Sequence, residues 1–411
     1  MTRAHGASPS GHVLELFASA REIDPAQWDA LHGAQSNPTP FLTHAYLSAL
    51  EESGCASPDT GWTPLYFTLR RESGASLPAT WDAACVLYLK SHSYGEYVFD
   101  WAWADAYQRH GLPYYPKGVL AVPFTPVPGA RLLARDASAR AMLLHAITDW
   151  AKDAGLSSLH MLFADEDDLR AAHDAGWLLR HTVQFHWRNR HPRTQQPFAD
   201  FEEFLASLNQ EKRKKIRQER RRVADAGVSF RVREGTQITS GDWDFFYACY
   251  ERTYLEHGNA PYLSRDFFLR MHQDMPDNWV IFIAERGGAP IACSLLARRA
   301  ARDSGATTFA PVAYGRYWGA LERVDCLHFE ACYYQPLIWC IANGVERFEG
   351  GAQGQHKMAR ALLPVQTSSA HWLAHPGFAQ AVEHFLEREG RGIGQYLNEL
   401  HGRSPFRRTG P

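Results

Sequence analysis

The sequence predicts an α/β protein with one mixed sheet, flanked by helices, in each half of the chain. Three observations predict it. Short β-branched and aromatic runs alternate with helical runs along the whole length. The order of helices, antiparallel meander, then helix, strand, helix, strand is met twice, which implies an internal duplication without a residue-level repeat. The 411 residues, 45% apolar and 13% aromatic, suffice for two units with sizeable cores.

The elements follow in order. Residues 1–12 are small and polar and are expected to be disordered. An N-terminal unit is expected over residues 13–190. Its helix at 41–50 begins beside Pro40. Strands at 64–70 and 84–90 flank a Gly/Ser/Pro turn region. An aromatic helix at 96–110 stops at Gly111, and a strand is expected at 131–135. A helix at 137–154 ends at Gly155. A strand at 158–163, an acid-started helix at 165–175 and a strand at 178–187 complete the unit. The polar, proline-containing stretch 189–197 reads as a linker, so 191–227 is taken as linker plus basic helix. The second unit, 228–403, opens with a strand at 228–233 and helices at 242–256 and 264–275. Runs 279–285, 291–299 and 307–318 read as three antiparallel strands, with Gly287-Gly288 turning the first pair. A helix at 328–342, a strand at 345–349, a strand near 368–373 and a helix at 376–389 follow. Residues 404–411 read as a loosely held tail.

Composition narrows the classes. Lys plus Arg number 43 and Asp plus Glu 45, so global charge does not indicate nucleic acid. Seven cysteines without a CxxC pair argue against a disulfide framework or zinc knuckle and for a reduced, cytoplasmic setting. No window holds about 18 uninterrupted apolar residues, so no membrane span is expected.

The stretch from Arg347 to Arg360 stands out. A strand leads into Gly350, Gly351 and Gly354, followed by Gln355, His356, Lys357 and Arg360. A strand opening into a glycine-rich turn exposes backbone N–H groups, and a helix starting there adds its positive end. Such a place suits a phosphate, carboxylate or tetrahedral oxyanion. It matches neither nucleotide fingerprint. The structural alternative is a tight turn with surface cations.

Several long strings resemble one family. They are residues 90–100 (KSHSYGEYVFD), 114–117 (YYPK), 122–127 (VPFTPV), 314–319 (YGRYWG), 327–335 (LHFEACYYQ) and the glycine-rich stretch itself. The chain resembles the FemAB-like branch of the GNAT N-acyltransferase superfamily, among predicted N-acyltransferases and peptidoglycan biosynthesis/recognition-like proteins. The resemblance implies two tandem GNAT-like domains, direct acyl transfer without a covalent enzyme intermediate, and a donor lying in a splayed gap between two strands. Gln355 stands where such proteins are expected to have Glu, and Ala361 where they have Gly. The usual pyrophosphate loop of the superfamily is not found after the strand ending near Trp318, where Gly319 to Arg323 stand instead.

Amide formation needs a proton acceptor for the amine, a stabilised oxyanion and a protonated leaving group. Glu330, Tyr333, Tyr334 and Glu349 are the catalytic candidates. Glu330 and Tyr334 are four apart and share a face of the expected helix. Gly351, Gln353, Gly354, His356, Lys357, Arg360 and Arg316 are the donor-binding candidates. Lys90, His92, Tyr94, Glu96, Tyr115, Lys117 and Trp318 are the acceptor-binding candidates, with Asp100 beside them. Each set has a bland reading: packed tyrosines, satisfied ion pairs and a snorkelling Arg316.

Residues 212–222 carry eight cations in eleven positions. With Leu205, Leu208, Ile216 and Val223 docking, Lys212, Arg213, Lys214, Arg217, Arg220 and Arg221 would present a basic face suited to phosphates. A similar basic segment in FemAB-type aminoacyltransferases serves an aminoacyl-tRNA donor. The alternative is a solvated face. His371 and His375 lack an HExxH context, so no metal is expected. Cys332 reads as a buried structural thiol. The function expected is an N-acyltransferase moving an acyl group from an acyl-CoA to a small amine, peptide or amino sugar; the alternatives are an aminoacyl-tRNA-dependent aminoacyltransferase and a non-catalytic binder of cell-wall or peptide fragments.

Overall fold

The computed structural model describes residues 6–7, 11–71, 80–300, 302–303, 308–352 and 354–407. Residues 1–5 and 8–10 of the expected disordered stretch, the turn region at 72–79, Gln353 and tail residues 408–411 lie outside them. Two compact units divide the chain. Unit 1 is Met1–Thr182 with Thr367–Gly394, and unit 2 is Val183–Gln366 with Gln395–Pro411.

Unit 1 begins with β1 (Gly6–Ala7) and β2 (His12–Phe17), then α1 (Pro25–Gly33) and α2 (His44–Glu52). β3 (Trp62–Arg71) and β4 (Trp81–Lys90) pair antiparallel along their length. After α3 (Trp101–Arg109) come β5 (Lys117–Leu120), β6 (Leu133–Ala134), α4 (Ala137–Asp153), β7 (Ser158–Ala164), α5 (Glu166–Asp174) and β8 (Leu178–Arg188). The β5/β7 pair is parallel, whereas β2 to β5 pair antiparallel. Asp136 caps α4 by accepting from the Ala139 N–H. Leu143, Leu144, Ile147 and Ala151 of α4 are buried with Phe67, Cys85, Leu87, Leu120 and Met161 of the sheet. The expected helix at 96–110 starts only at Trp101. Residues before it are irregular, with Gly95 and Tyr97 at positive φ.

Unit 2 holds α6 (Phe201–Ser207), α7 (Gln210–Asp225), β9 (Val228–Glu234), α8 (Ser240–Glu256), α9 (Arg265–Asp274), β10 (Trp279–Arg286) and β11 (Ala289–Arg299). Short β12 (Arg302–Asp303) and β13 (Thr308–Phe309) precede β14 (Val312–Ala320). Then come α10 (Leu327–Phe329), a π-turn (Glu330–Tyr334), α11 (Gln335–Ala342), β15 (Arg347–Ala352), a 3-10 turn (Gln355–Arg360), β16 (Leu363–Leu373) and α12 (Pro376–Gly402). Its sheet runs β8, β15, β14, β11, β10, β9, with β14/β15 the parallel pair. Each unit therefore has the mixed, mostly antiparallel sheet flanked by helices that the sequence predicts.

The division of the chain differs from the expected one. The boundary falls inside β8, not in 189–197, and α7 belongs to unit 2. The polar stretch is tied to unit 2, where the Asn189 N–H donates to the Glu346 carbonyl and Phe198 is buried among Trp187 and Phe204. Ser368 to Leu373 of β16 pair with β7 in unit 1, and β15 pairs with β8 in unit 2. Each parallel pair is thus flanked by a strand from the other half of the chain. Alternation of side chains fixes which face a strand buries, not which partner it takes. The tail at 404–407 is held as well: Phe406 bridges to Leu208, and the Arg407 N–H donates to the Ser207 carbonyl.

Candidate functional site

β14 and β15 pair only from Val312/Arg347 to Tyr314/Glu349, and then diverge. A cavity of about 150 Å³ opens in this splay. Gly315, Arg316 and Trp318 of β14, His328 of α10, Tyr333 of the π-turn and Lys357 of the 3-10 turn are among its walls. The splay has local causes. Leu295 of β11 opposes Tyr317 and Leu296 opposes Gly315, so Arg316 is the extra residue of a β-bulge. Bulges bend a strand and re-aim its side chains. Gly319 lets β14 touch α8, since a Cβ there would lie 2.0 Å from the Cys249 carbonyl oxygen. The Thr253 hydroxyl adds a bond to the Trp318 carbonyl at 3.1 Å.

The π-turn corrects one expectation. Its wider turn inserts a residue, so Glu330, Tyr333 and Tyr334 point to three places rather than one face. Tyr333 alone of the three lines the splay, with its hydroxyl 3.2 Å from His356 Nε2. Burial raises its phenol well above the ordinary range, so it stays protonated. His328 is the titratable group that the sequence reading missed. Burial, aided by His356, Arg360 and Lys357, lowers its pKa to about 4, so it is uncharged at neutral pH. Lys357 is lowered to about 8, mainly by burial.

The helix start expected after the glycines does not form. Residues 355–360 make a short 3-10 turn, not an α-helix start, so there is no helix dipole to use. Lys357 Nζ turns back to the Gly350 carbonyl at 2.5 Å. Gly351 and Gly354 have positive φ, which lets the strand turn sharply. Ala361, where the resemblance expects Gly, also has positive φ, which gives that expectation a steric reason. Arg360 is 2% exposed and committed inward. Its Nη2 donates to Glu219 at 2.8 Å, its Nε to the Tyr334 hydroxyl at 3.1 Å and its Nη1 to the His356 carbonyl at 2.8 Å. The Tyr334 hydroxyl also donates to Glu219.

Glu330 faces another cavity, of about 500 Å³, lined also by Arg217, Arg220, Arg221 and Gln335. It accepts from Arg220 Nε at 3.2 Å and Gln335 Nε2 at 2.8 Å. Phe348 and Gly350 line the splay, whereas Glu349 between them does not, as strand alternation requires. Glu349 accepts from Arg347 at 2.8 Å, and burial raises its carboxyl. The catalytic set named from sequence is therefore not gathered in one place.

Most acceptor candidates lie in unit 1, apart from Trp318. Lys117 Nζ is fully buried and donates to Ser93 Oγ and Glu96 Oε2, each at 2.8 Å, and to Asp100. Ser93 Oγ lies 2.8 Å from the Tyr115 hydroxyl. Burial raises Glu96 to about 7, against the pull of Lys117. Lys90, also buried, is lowered to about 7 and sits 3.6 Å over the Trp62 ring. It reaches the Tyr94 carbonyl at 3.3 Å and His92 Nδ1 at 3.5 Å.

The basic run forms α7, whose N-cap Asn209 accepts from the Lys212 N–H. Lys212 pairs with Glu211, Arg217 with Glu202 and Arg220 with Glu330. Lys214, Arg217 and Arg221 are exposed and Arg213 is half-buried. Among the described residues no group of His, Cys, Asp and Glu is placed to hold a metal, and no helix is long and apolar enough to cross a membrane.

These features define an α/β chain of two units, one with a cavity in a strand splay. The chain belongs to the FemAB-like family, described as peptidoglycan biosynthesis/recognition, which matches over residues 19–408. No curated protein sequence matches it. Among solved structures it is similar to L-PGS from Bacillus licheniformis, at 11% identity and TM-score 0.49, over 88% of this chain and 97% of that one. It is also similar to a tandem GNAT protein from the clavulanic acid biosynthesis pathway, at 13% identity and TM-score 0.39, over 88% and 99%. Yeast (Saccharomyces cerevisiae) N-myristoyltransferase with bound myristoyl-CoA is a third, at 8% identity and TM-score 0.43, over 90% and 84%.

Proposed function

We propose that the chain is an N-acyltransferase that moves an acyl group from an acyl-CoA to an amine by direct attack, with the donor thioester in the β14/β15 splay. The observation that carries this reading is the splay itself, where the β14/β15 pairing stops after Tyr314/Glu349 beside a cavity walled by Tyr333, His328 and Lys357. Two strands that diverge leave room between them for an extended ligand arm. The amine nitrogen attacks the thioester carbonyl carbon, the C–S bond breaks, and the amine proton passes to neutral His328. Protonated Tyr333 gives its proton to the departing thiolate and regains one through His356. Membership of a family described by peptidoglycan supports an amine on a peptide or amino sugar as acceptor.

Thermal stabilisation by acyl-CoAs tests the donor. A ligand at about 100 times its Kd stabilises by roughly 2.7 kcal/mol. Tyr333→Phe is expected to keep that stabilisation and to lower the transfer rate by about 10²-fold or more. If no acyl-CoA stabilises the chain, the reading fails. The second reading, aminoacyl-tRNA-dependent transfer, is favoured by the outward cations of α7, such as Lys214 and Arg221. It predicts RNA binding that falls steeply with salt.

A further inference from the structure

We propose that the outer face of residues 94–101 in unit 1 is a binding platform for an uncharged carbohydrate. The usual burial rule is inverted there. Tyr94, Phe99 and Trp101 are 59%, 57% and 39% exposed, while Ser93 beside them and Glu96 and Asp100 between them are at most 5% exposed. Large aromatic rings left in water forgo burial energy, and carboxylates taken out of water lose hydration. Exposed aromatic rings grouped on one short segment point to a binding site.

The platform is pre-organised. Lys117 holds Ser93, Glu96 and Asp100 from below. Arg180 Nη1 donates to the Phe99 carbonyl at 2.7 Å, and the Phe124 N–H to the Gly95 carbonyl at 3.2 Å. On the outside, Tyr94 meets His92 at 5.3 Å and Trp101 at 5.0 Å between ring centroids. Fixed rings cost little entropy when they bind.

Charge selects the occupant. From Ser91 to Ala102 the only Asp, Glu, Lys or Arg residues are Glu96 and Asp100, and both are buried. The segment itself supplies no Lys or Arg for a nucleic acid or an anionic bilayer, both of which are held through such cations, and Lys90 and Arg180, which bond its backbone, are buried. A neutral sugar fits instead. Its C–H faces stack on aromatic rings, whose faces are electron-rich, and its hydroxyls bond to phenol and indole groups.

The test is calorimetric titration of the full chain with chitohexaose, cellohexaose and maltohexaose. One of these neutral hexasaccharides is expected to bind. Trp101→Ala and Tyr94→Ala should each weaken it roughly five- to tenfold, the scale of one aromatic contact. Both side chains are exposed, so the melting temperature should stay unchanged. Absence of binding at millimolar sugar overturns the proposal, as does binding that ignores both substitutions. Sedimentation with phosphatidylcholine vesicles, lost in Trp101→Ala, would assign the face to lipid and overturn it as well. Acyl-CoA stabilisation measured in the same variants keeps this outcome separate from the transfer reading.

Discussion

Arg360 was expected to hold a donor phosphate, yet the structure ties it to Glu219, Tyr334 and His356, with its guanidinium 3.8 Å over the Phe329 ring. Arg360→Met keeps most of the volume and removes the charge. Glu219, only 6% exposed, is then left with the Tyr334 hydroxyl alone. Stranding a buried charge in this way costs about 3–5 kcal/mol. In a unit of roughly 150–250 residues that lowers the melting temperature by roughly 6–20 °C. Replacing both charges, as in Glu219→Met with Arg360→Met, is expected to recover most of the loss, because no unpaired ion remains. Urea or thermal unfolding of the three variants reads the cycle. If Arg360→Met stays within about 1 kcal/mol of the parent and loses acyl-CoA binding instead, the side chain is a ligand group and the packing argument is refuted.

Lys117→Met strands Glu96 and Asp100 and should cost about 3–5 kcal/mol, read by thermal unfolding; a melt near that of the parent would contradict the buried network. Glu96 supplies a pH signature. Its carboxyl is raised from 4.5 to about 7, so its contribution is fully present below about pH 4.5 and is lost as pH rises through about 7. Glu96→Gln should therefore flatten the fall in stability across that window in a denaturation series, and an unchanged slope would refute the assignment. Gly319→Ala sets a methyl against the Cys249 carbonyl, where backbone cannot yield, and should cost about 3 kcal/mol. A normal melting temperature would show that β14 and α8 are not so close.

What the sequence disclosed depended on local signals. The strands at β10 and β11 were legible because Gly287-Gly288 and β-branched runs announce a hairpin. α4 was legible from the helical run that stops at Gly155. The π-turn was not, since Glu330 to Tyr334 reads as ordinary helix and the extra residue is fixed by tertiary contacts to Glu219 and Arg220. Spacing named Tyr333, His356 and Lys357, which do come together, but it could not see that Lys357 and Arg360 are spent on internal partners. His328 carries no motif of its own; only its position beside the splay marks it. The inverted pattern at residues 93–101 was not read from the sequence, because Ser93, Glu96 and Asp100 are spaced three and four apart and the run from Glu96 reads as helix.

The late return of the chain to unit 1 has a consequence for synthesis. β7 is complete at Ala164, but its β16 partner residues begin only at Ser368. During translation the edge of β7 that β16 will occupy therefore stays open while some two hundred further residues emerge. A stalled or truncated product ending before β16 would carry that open edge permanently. Such products should be chaperone clients and aggregation seeds, and supplying residues 363–402 as a separate peptide should rescue them.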